Sequence, residues 1–219
     1  MPRTYALSDI HGCLSKLEGL VAQCRADAKD ESAKFVFLGD YIDRGPDTRG
    51  VVEYMMDFQA RQPGRVICLC GNHEDLALAA VFDHLEITQW MVNGGDAALH
   101  SYGVATPAEI PKKHVDWMRA LPTHHDDGQR FFVHAGVNPS RPLDRQDRRD
   151  MLWMREPFLS DRRDYGRFIV HGHTPQKGGQ PDLRSNRVNI DTAAVLGGPL
   201  TAAIFDDRTP GPIGFLQEA

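Results

Sequence analysis

Phe35-Val36-Phe37-Leu38-Gly39-Asp40-Tyr41-Ile42-Asp43-Arg44-Gly45 is the stretch on which the reading of this chain turns. Its four leading apolar residues read as a fully buried strand. The strand runs into glycine, a carboxylate, a second carboxylate three positions on, an arginine and another glycine. Buried strands that end in glycine-flanked polar loops are where α/β proteins put chemistry. Asp40 stands at the strand end, where a carboxylate can hold a metal. Arg44 offers a fixed cation with fork geometry for a phosphate or carboxylate. Alone, the stretch reads equally well as a surface turn with a salt bridge.

Four further stretches repeat the pattern. Thr4-Tyr5-Ala6-Leu7 reads as a strand and ends in Ser8-Asp9-Ile10-His11-Gly12. There Asp9 and His11 can point the same way, although a helix N-cap explains the fragment as well. Arg65 to Cys70 ends in Gly71-Asn72-His73-Glu74. Arg130-Phe131-Phe132-Val133 ends in His134-Ala135-Gly136, and Phe168-Ile169-Val170 ends in His171-Gly172-His173-Thr174-Pro175. Between the first strands, Leu14, Leu17, Leu20, Val21 and Cys24 recur at helical spacing, followed by a polar turn from Asp27 to Ser32. Asp47-Thr48 caps a second expected helix reaching about Arg61. Strand, helix, strand, helix predicts an α/β core. Residues 75–128 read as mostly helical, with one helix end at Trp90 to Gly95 and another helix from Pro107 to Leu121. Val188 to Asp191 and Leu200 to Phe205 read as late strands of a second sheet. No repeat or long linker divides residues 1–219, so a single domain is expected.

The chain has 219 residues and a net charge of −5, an acidic balance that argues against non-specific nucleic-acid binding. No apolar run is long enough to span a membrane, and the N-terminus lacks a signal-peptide apolar core. Cys13, Cys24, Cys68 and Cys70 have no zinc-type spacing, which points to reduced core thiols and a cytoplasmic setting. Of the ten histidines, His84, His100, His114, His124 and His125 lie among polar residues and read as surface or capping groups. In the charged stretch from Arg141 to Arg167, Leu152-Trp153-Met154 reads as an apolar anchor for Arg155.

Five strand ends thus carry Asp/His, Asp/Asp/Arg, Asn/His, His and His/His. Two carboxylates, an amide and several imidazoles suit a pair of first-row ions such as manganese, iron or zinc. They do not suit calcium, which takes oxygen ligands.

In their order and spacing these five motifs resemble the phosphoprotein phosphatase branch of the calcineurin-like metallophosphoesterases, above all the bacterial and bacteriophage lambda-type enzymes. The resemblance implies a metallophosphoesterase fold: a central β-sandwich of two mixed sheets flanked by helices, with two divalent metal ions, manganese first, at one end. It implies that Asp9 and His11 bind the first metal, that Asp40 bridges, and that Asn72, His134 and His173 complete the second. It also implies that His73 is the general acid oriented by Asp43, and that Arg44 and Arg155, helped by Asn72, hold the phosphate. Two metals about 3.5–4 Å apart activate a shared water for in-line attack, and general acids contribute about 10²–10⁴-fold. Ser8, Ala135 and Ala193 stand where related sequences often have glycine, and none of them removes a ligand. His171 is left between a supporting and a structural role.

The activity implied is hydrolysis of phosphoserine and phosphothreonine in a phosphoprotein or phosphopeptide, with phosphotyrosine or small phosphoesters as further substrates. No nucleic-acid or membrane partner is expected, and a monomer accommodates the sequence. The rival on the same fold is a hydrolase of bis(5'-nucleosyl) polyphosphates. A binding module without activity is a third reading, disfavoured because every ligand, acid and arginine position is filled.

Overall fold

A computed structural model describes residues 3–28 and 32–219. Strand β1 (Thr4–Leu7) leads into helix α1 (Leu14–Ala28), β2 (Lys34–Phe37), α2 (Thr48–Arg61), β3 (Val66–Cys68) and α3 (Asn72–Phe82). Short helices α4 (Ile87–Trp90), α5 (Asp96–Tyr102) and α6 (Lys112–Ala120) follow. Then come β4 (His124–Asp126), β5 (Arg130–Val133), α7 (Arg148–Trp153), β6 (Phe168–His171), β7 (Asp182–Leu183), β8 (Arg187–Asn189), β9 (Leu200–Phe205) and β10 (Gly214–Glu218).

The strands form two five-stranded mixed sheets, ordered β10-β9-β1-β2-β3 and β4-β5-β6-β8-β7. β1, β2 and β3 run parallel in the first, as do β5, β6 and β8 in the second. The antiparallel pair β9–β10 extends the first trio on its β1 side, whereas single antiparallel strands, β4 and β7, edge the second on both sides. Period-two alternation divides every central strand between two apolar layers. In β2, Phe35 and Phe37 face the helices while Val36 faces the other sheet; in β5, Phe132 faces the first sheet while Phe131 and Val133 face outward. Burial on both faces is why these strands read as unbroken apolar runs.

The flanking is unequal. Helices α1, α2, α3, α5 and α6 cover the first sheet. The six-residue α7 and the loops on either side of it, carrying Val137 and Phe158, cover the second.

Several expectations need correction. β9 belongs to the first sheet, antiparallel to β1, and not to the second. The stretch read as mostly helical contains β4. The helix end expected at Trp90 to Gly95 is present: Gly94, at φ 99° and ψ 20°, breaks the helical path, and α5 starts afresh just beyond it. Asp27 and Ala28 belong to α1, and the rest of the turn expected there lies largely outside the described residues. His114 is fully buried, its Nδ1 2.9 Å from Tyr102 Oη. Asp47 does cap α2, its Oδ1 accepting from Gly50 N at 2.8 Å.

Candidate metal centre and active site

Parallel strands share a direction, so their C-terminal ends share an edge. At that edge the loop after β1 is laced to the loop after β2, with His11 N donating to Asp40 O and Gly12 N to Tyr41 O, both at 2.9 Å. A side chain at Gly45 would overlap His11 O, so only glycine lets the two loops approach. The second sheet joins through His173 N, which donates to both Asp9 oxygens at 3.1 Å.

The residues singled out in the sequence meet here. Asp9, His11, Asp40, Asp43, Asn72, His73, His134 and His173 are all buried. Ligand-capable atoms of His11, Asp40 and His73 lie within 4.8 Å of one another, as do those of Asp40, His134 and His173. The first trio holds His73 where Asp9 was expected. Asp9 joins through its contacts with His173 N and with Ser8 Oγ. Asn72 Oδ1 stands 2.8 Å from His134 Nε2. Asp40 divides its oxygens: Oδ2 lies 3.4 Å from His11 Nε2, and Oδ1 lies 3.4 Å from His134 Nε2.

The hydrogen bonds orient the imidazoles. His11 Nδ1 is 2.7 Å from Ile42 O, and His134 Nδ1 is 3.0 Å from Leu38 O. A carbonyl only accepts, so each Nδ1 carries the proton and each Nε2 turns a lone pair inward. His134 Nε2 therefore meets the Asn72 oxygen acceptor to acceptor, an arrangement a cation resolves. Arg44 donates to the other lone pair, Nη1 lying 2.9 Å from His11 Nε2.

Charge makes the same point. Burial raises Asp9 and Asp40 well above the usual carboxylate range, and each also feels a neighbouring carboxylate, Asp191 and Asp9 respectively. Asp191 is pushed up to about 6 by burial. Burial also lowers His11 and His134 to about 3 and His173 to about 2, so the imidazoles stay neutral and cannot balance the carboxylates. Buried carboxylates among neutral imidazole lone pairs are a donor set that fits divalent first-row metals.

Strain gathers here too. Asp9, His11, Asp40, Asp43, Arg44 and His173 all take positive φ, between 45° and 71°. Such conformations cost of order 1–3 kcal/mol each and persist where surroundings dictate them. The only other described non-glycine residue with positive φ is Ala193, two positions after Asp191.

Beside the cluster, His73 Nδ1 lies 2.7 Å from Asp43 Oδ2, and His73 Nε2 has no hydrogen-bond partner. Burial, followed by His11 and Arg44, drives His73 far below the ordinary imidazole range, while burial raises Asp43.

Arg155 is exposed rather than pinned by its neighbours: Leu152 is buried, but Trp153 is itself 38% exposed, 5.9 Å from the His173 ring. Arg155 is close enough to depress the pKa of both His173 and Asp191. His171 belongs to neither trio. It is buried against Phe158, with Nε2 3.3 Å from Arg187 Nη1.

Two residues with no role in the sequence reading prove central. Glu74 accepts from Gly71 N, Asp40 N, Tyr41 N and Ile42 N at 2.8 to 3.3 Å, binding the β2 loop to the start of α3. Its signal was available, since glutamate at the third position of a helix is a capping residue. Trp90 donates to both Asp43 oxygens, and no local spacing marks that contact.

Two mixed sheets that deliver carboxylates, imidazoles and arginines to one edge define a metal-dependent hydrolase of the phosphoester type. Residues 2–198 match the model of the calcineurin-like phosphoesterases, and the chain belongs to that family. Among curated proteins it is 32% identical to serine/threonine-protein phosphatase 1 of Salmonella typhimurium, over 91% of this chain and 90% of that one. It is 28% identical to the bis(5'-nucleosyl)-tetraphosphatase PrpE of a Geobacillus strain, over 90% and 87%. A solved structure provisionally assigned as a diadenosine tetraphosphatase superposes with a TM-score of 0.74 at 24% identity, covering all of this chain and 96% of that one. A Saccharomyces cerevisiae serine/threonine phosphatase superposes at 0.70 with 16% identity, covering all of this chain and 80% of that one. These two likenesses speak for the fold.

Proposed function

We propose that this chain is a metal-dependent phosphomonoesterase acting on phosphoserine and phosphothreonine. The observation that carries the reading is the His73–Asp43 pair with His73 Nε2 unpartnered beside Asp40, 3.9 Å from Oδ2. A serine or threonine alkoxide leaves poorly without a proton, and a carboxylate-held imidazole is the group to deliver one. Polyphosphate leaving groups are stable anions with less need of it.

Asp9, His11, Asp40, Asn72, His134 and His173 would hold two divalent ions, with manganese as the leading pair and iron or zinc matched to the same donors. When bound, the ions supply an activated water and neutralise phosphate charge. Arg44 and Arg155 orient the phosphate oxygens and stabilise charge as the phosphoryl group moves. Asp43 fixes the His73 ring through Nδ1. A bound phosphate dianion brings the negative charge that favours a proton on His73, against the burial that removes it.

A second reading, hydrolysis of bis(5'-nucleosyl) polyphosphates, draws on the PrpE relatives and on one feature of the molecule. A cleft of about 490 Å³ is lined by Lys177, Gly178, Gly179, Leu196, Gly197 and Ala193, and the Ala193 N–H donates to Asp191 Oδ1 at 3.0 Å. The cleft has room and a cation for a longer phosphate chain.

The test uses metal-stripped protein reloaded with manganese. Turnover of a phosphoserine peptide is compared with that of diadenosine tetraphosphate, beside Asp40→Asn and His73→Ala. The expected result is manganese-restored peptide hydrolysis, lost in Asp40→Asn, and a His73→Ala protein that keeps its metal and loses activity. A higher kcat/KM on the tetraphosphate transfers the assignment to the second reading. Loss of metal in His73→Ala makes His73 a ligand, as its place in the first trio allows.

A further inference from the structure

Asp43 has two side-chain partners among the described residues: His73 and the indole of Trp90. The Trp90 Nε1 hydrogen lies between both carboxylate oxygens, at 3.0 Å from Oδ1 and 2.9 Å from Oδ2. Trp90 and Asp43 are both wholly buried. An indole N–H donates only and carries no charge. It therefore fixes the orientation of the carboxylate, whose Oδ2 also lies 2.7 Å from His73 Nδ1.

The same segment grips the phosphate side. Four residues after Trp90, Gly94 O accepts from Arg44 N at 3.0 Å. Gly94 adopts φ +99°, and a side chain there would meet Arg44 Cγ, so the turn needs glycine to reach it. Gly95 lies so close beneath the indole that any side chain would displace the ring. The outer face of the segment is open, with Val92 73% exposed.

We propose that Trp90 is a positioning residue for proton delivery, aiming Asp43 and through it His73, and that residues 87–95 thereby couple the leaving-group side of the site to Arg44. This rests on His73 as the proton donor. In the step served, a hydroxide oxygen forms a new P–O bond with its lone pair while the old P–O bond breaks with its electron pair going to the leaving oxygen. That oxygen takes the proton from His73 Nε2, and the Nε2–H electron pair returns to the ring.

The experiment is a leaving-group comparison in the manganese-loaded protein. Trp90→Phe removes the N–H and keeps an aromatic ring. Full loss of a general acid costs about 10²–10⁴-fold, and misaiming it should cost about 10–100-fold in kcat on an alkyl phosphate such as β-glycerophosphate. KM should hold, and p-nitrophenyl phosphate, whose leaving anion is stable unaided, should lose less than about threefold. Equal losses on both substrates, or none, overturn the proposal. His73→Ala runs in parallel. If its losses do not depend on the leaving group, the proton-donor reading fails; if they do and those of Trp90→Phe do not, only the role of Trp90 fails. Should Trp90→Phe not fold, the indole N–H resonance of the parent decides: it should exchange slowly and shift on Asp43→Asn. A resonance indifferent to that substitution overturns the proposal.

Discussion

Glu74 shows how much of this site hangs on a side chain that never meets substrate. Its carboxylate gathers four backbone N–H groups from two loops, and one of them belongs to Asp40. Glu74→Ala would leave those donors buried without partners. Removing one member of such a buried charged arrangement costs about 3–5 kcal/mol. We expect a loss of that order in the free energy of unfolding by denaturant, together with weaker manganese binding, because the Asp40 loop loses its anchor. Ala193 illustrates the opposite case. At φ 62° and ψ 42° it occupies the left-handed region that glycine enters freely, so alanine carries a conformational cost there.

Elements explain what could be read from sequence and what could not. The central strands were legible because burial on both faces forces continuous apolar runs, and their polar endings were legible as a set. β4 and β10 are edge strands, partly exposed and without a clean alternation, so no period marks them. Nor could β9 declare its sheet, since an apolar strand fits either side of a sandwich. The strained backbone at Asp9, Asp40 and Asp43 also leaves no trace in the letters, since tertiary contacts impose it. His171 was ambiguous for a related reason: it closes a strand beside His173, yet packs on Phe158 and Arg187. Burial and the Arg187 cation lower it to about 3, against about 6.5 in an unfolded chain. The unfolded state therefore binds the extra proton, and stability falls as pH drops from about 6.5 toward 3. A His171→Gln protein, which has no such proton to bind, should show a shallower decline in denaturant midpoint over that range. An equal decline would place the sensitivity elsewhere.

At the scale of the whole molecule, charge organises stability. Asp9, Asp40 and Asp191 are buried near one another, and the imidazoles around them stay neutral. Divalent ions bound by the proposed ligands would relieve that repulsion in the folded chain, so they should raise Tm. Protons compete for the same carboxylates, whose pKa values are raised, with Asp191 near 6. The gain in Tm on adding manganese to chelator-treated protein should accordingly be larger at pH 7 than at pH 5, by thermal melting at both values. A gain independent of pH would mean that the ions sit away from these carboxylates.

The link from His173 N to Asp9 also bears on the order of events during synthesis. One of its ends lies just after the first strand and the other well into the second half of the chain. A nascent polypeptide therefore carries Asp9, His11, Asp40 and Asn72 out of the ribosome long before their counterparts at residues 134 and 173. On the proposed ligand set the centre should close only when the second sheet docks on the first, so a chain stopped short of residue 173 should bind manganese more weakly than the full chain.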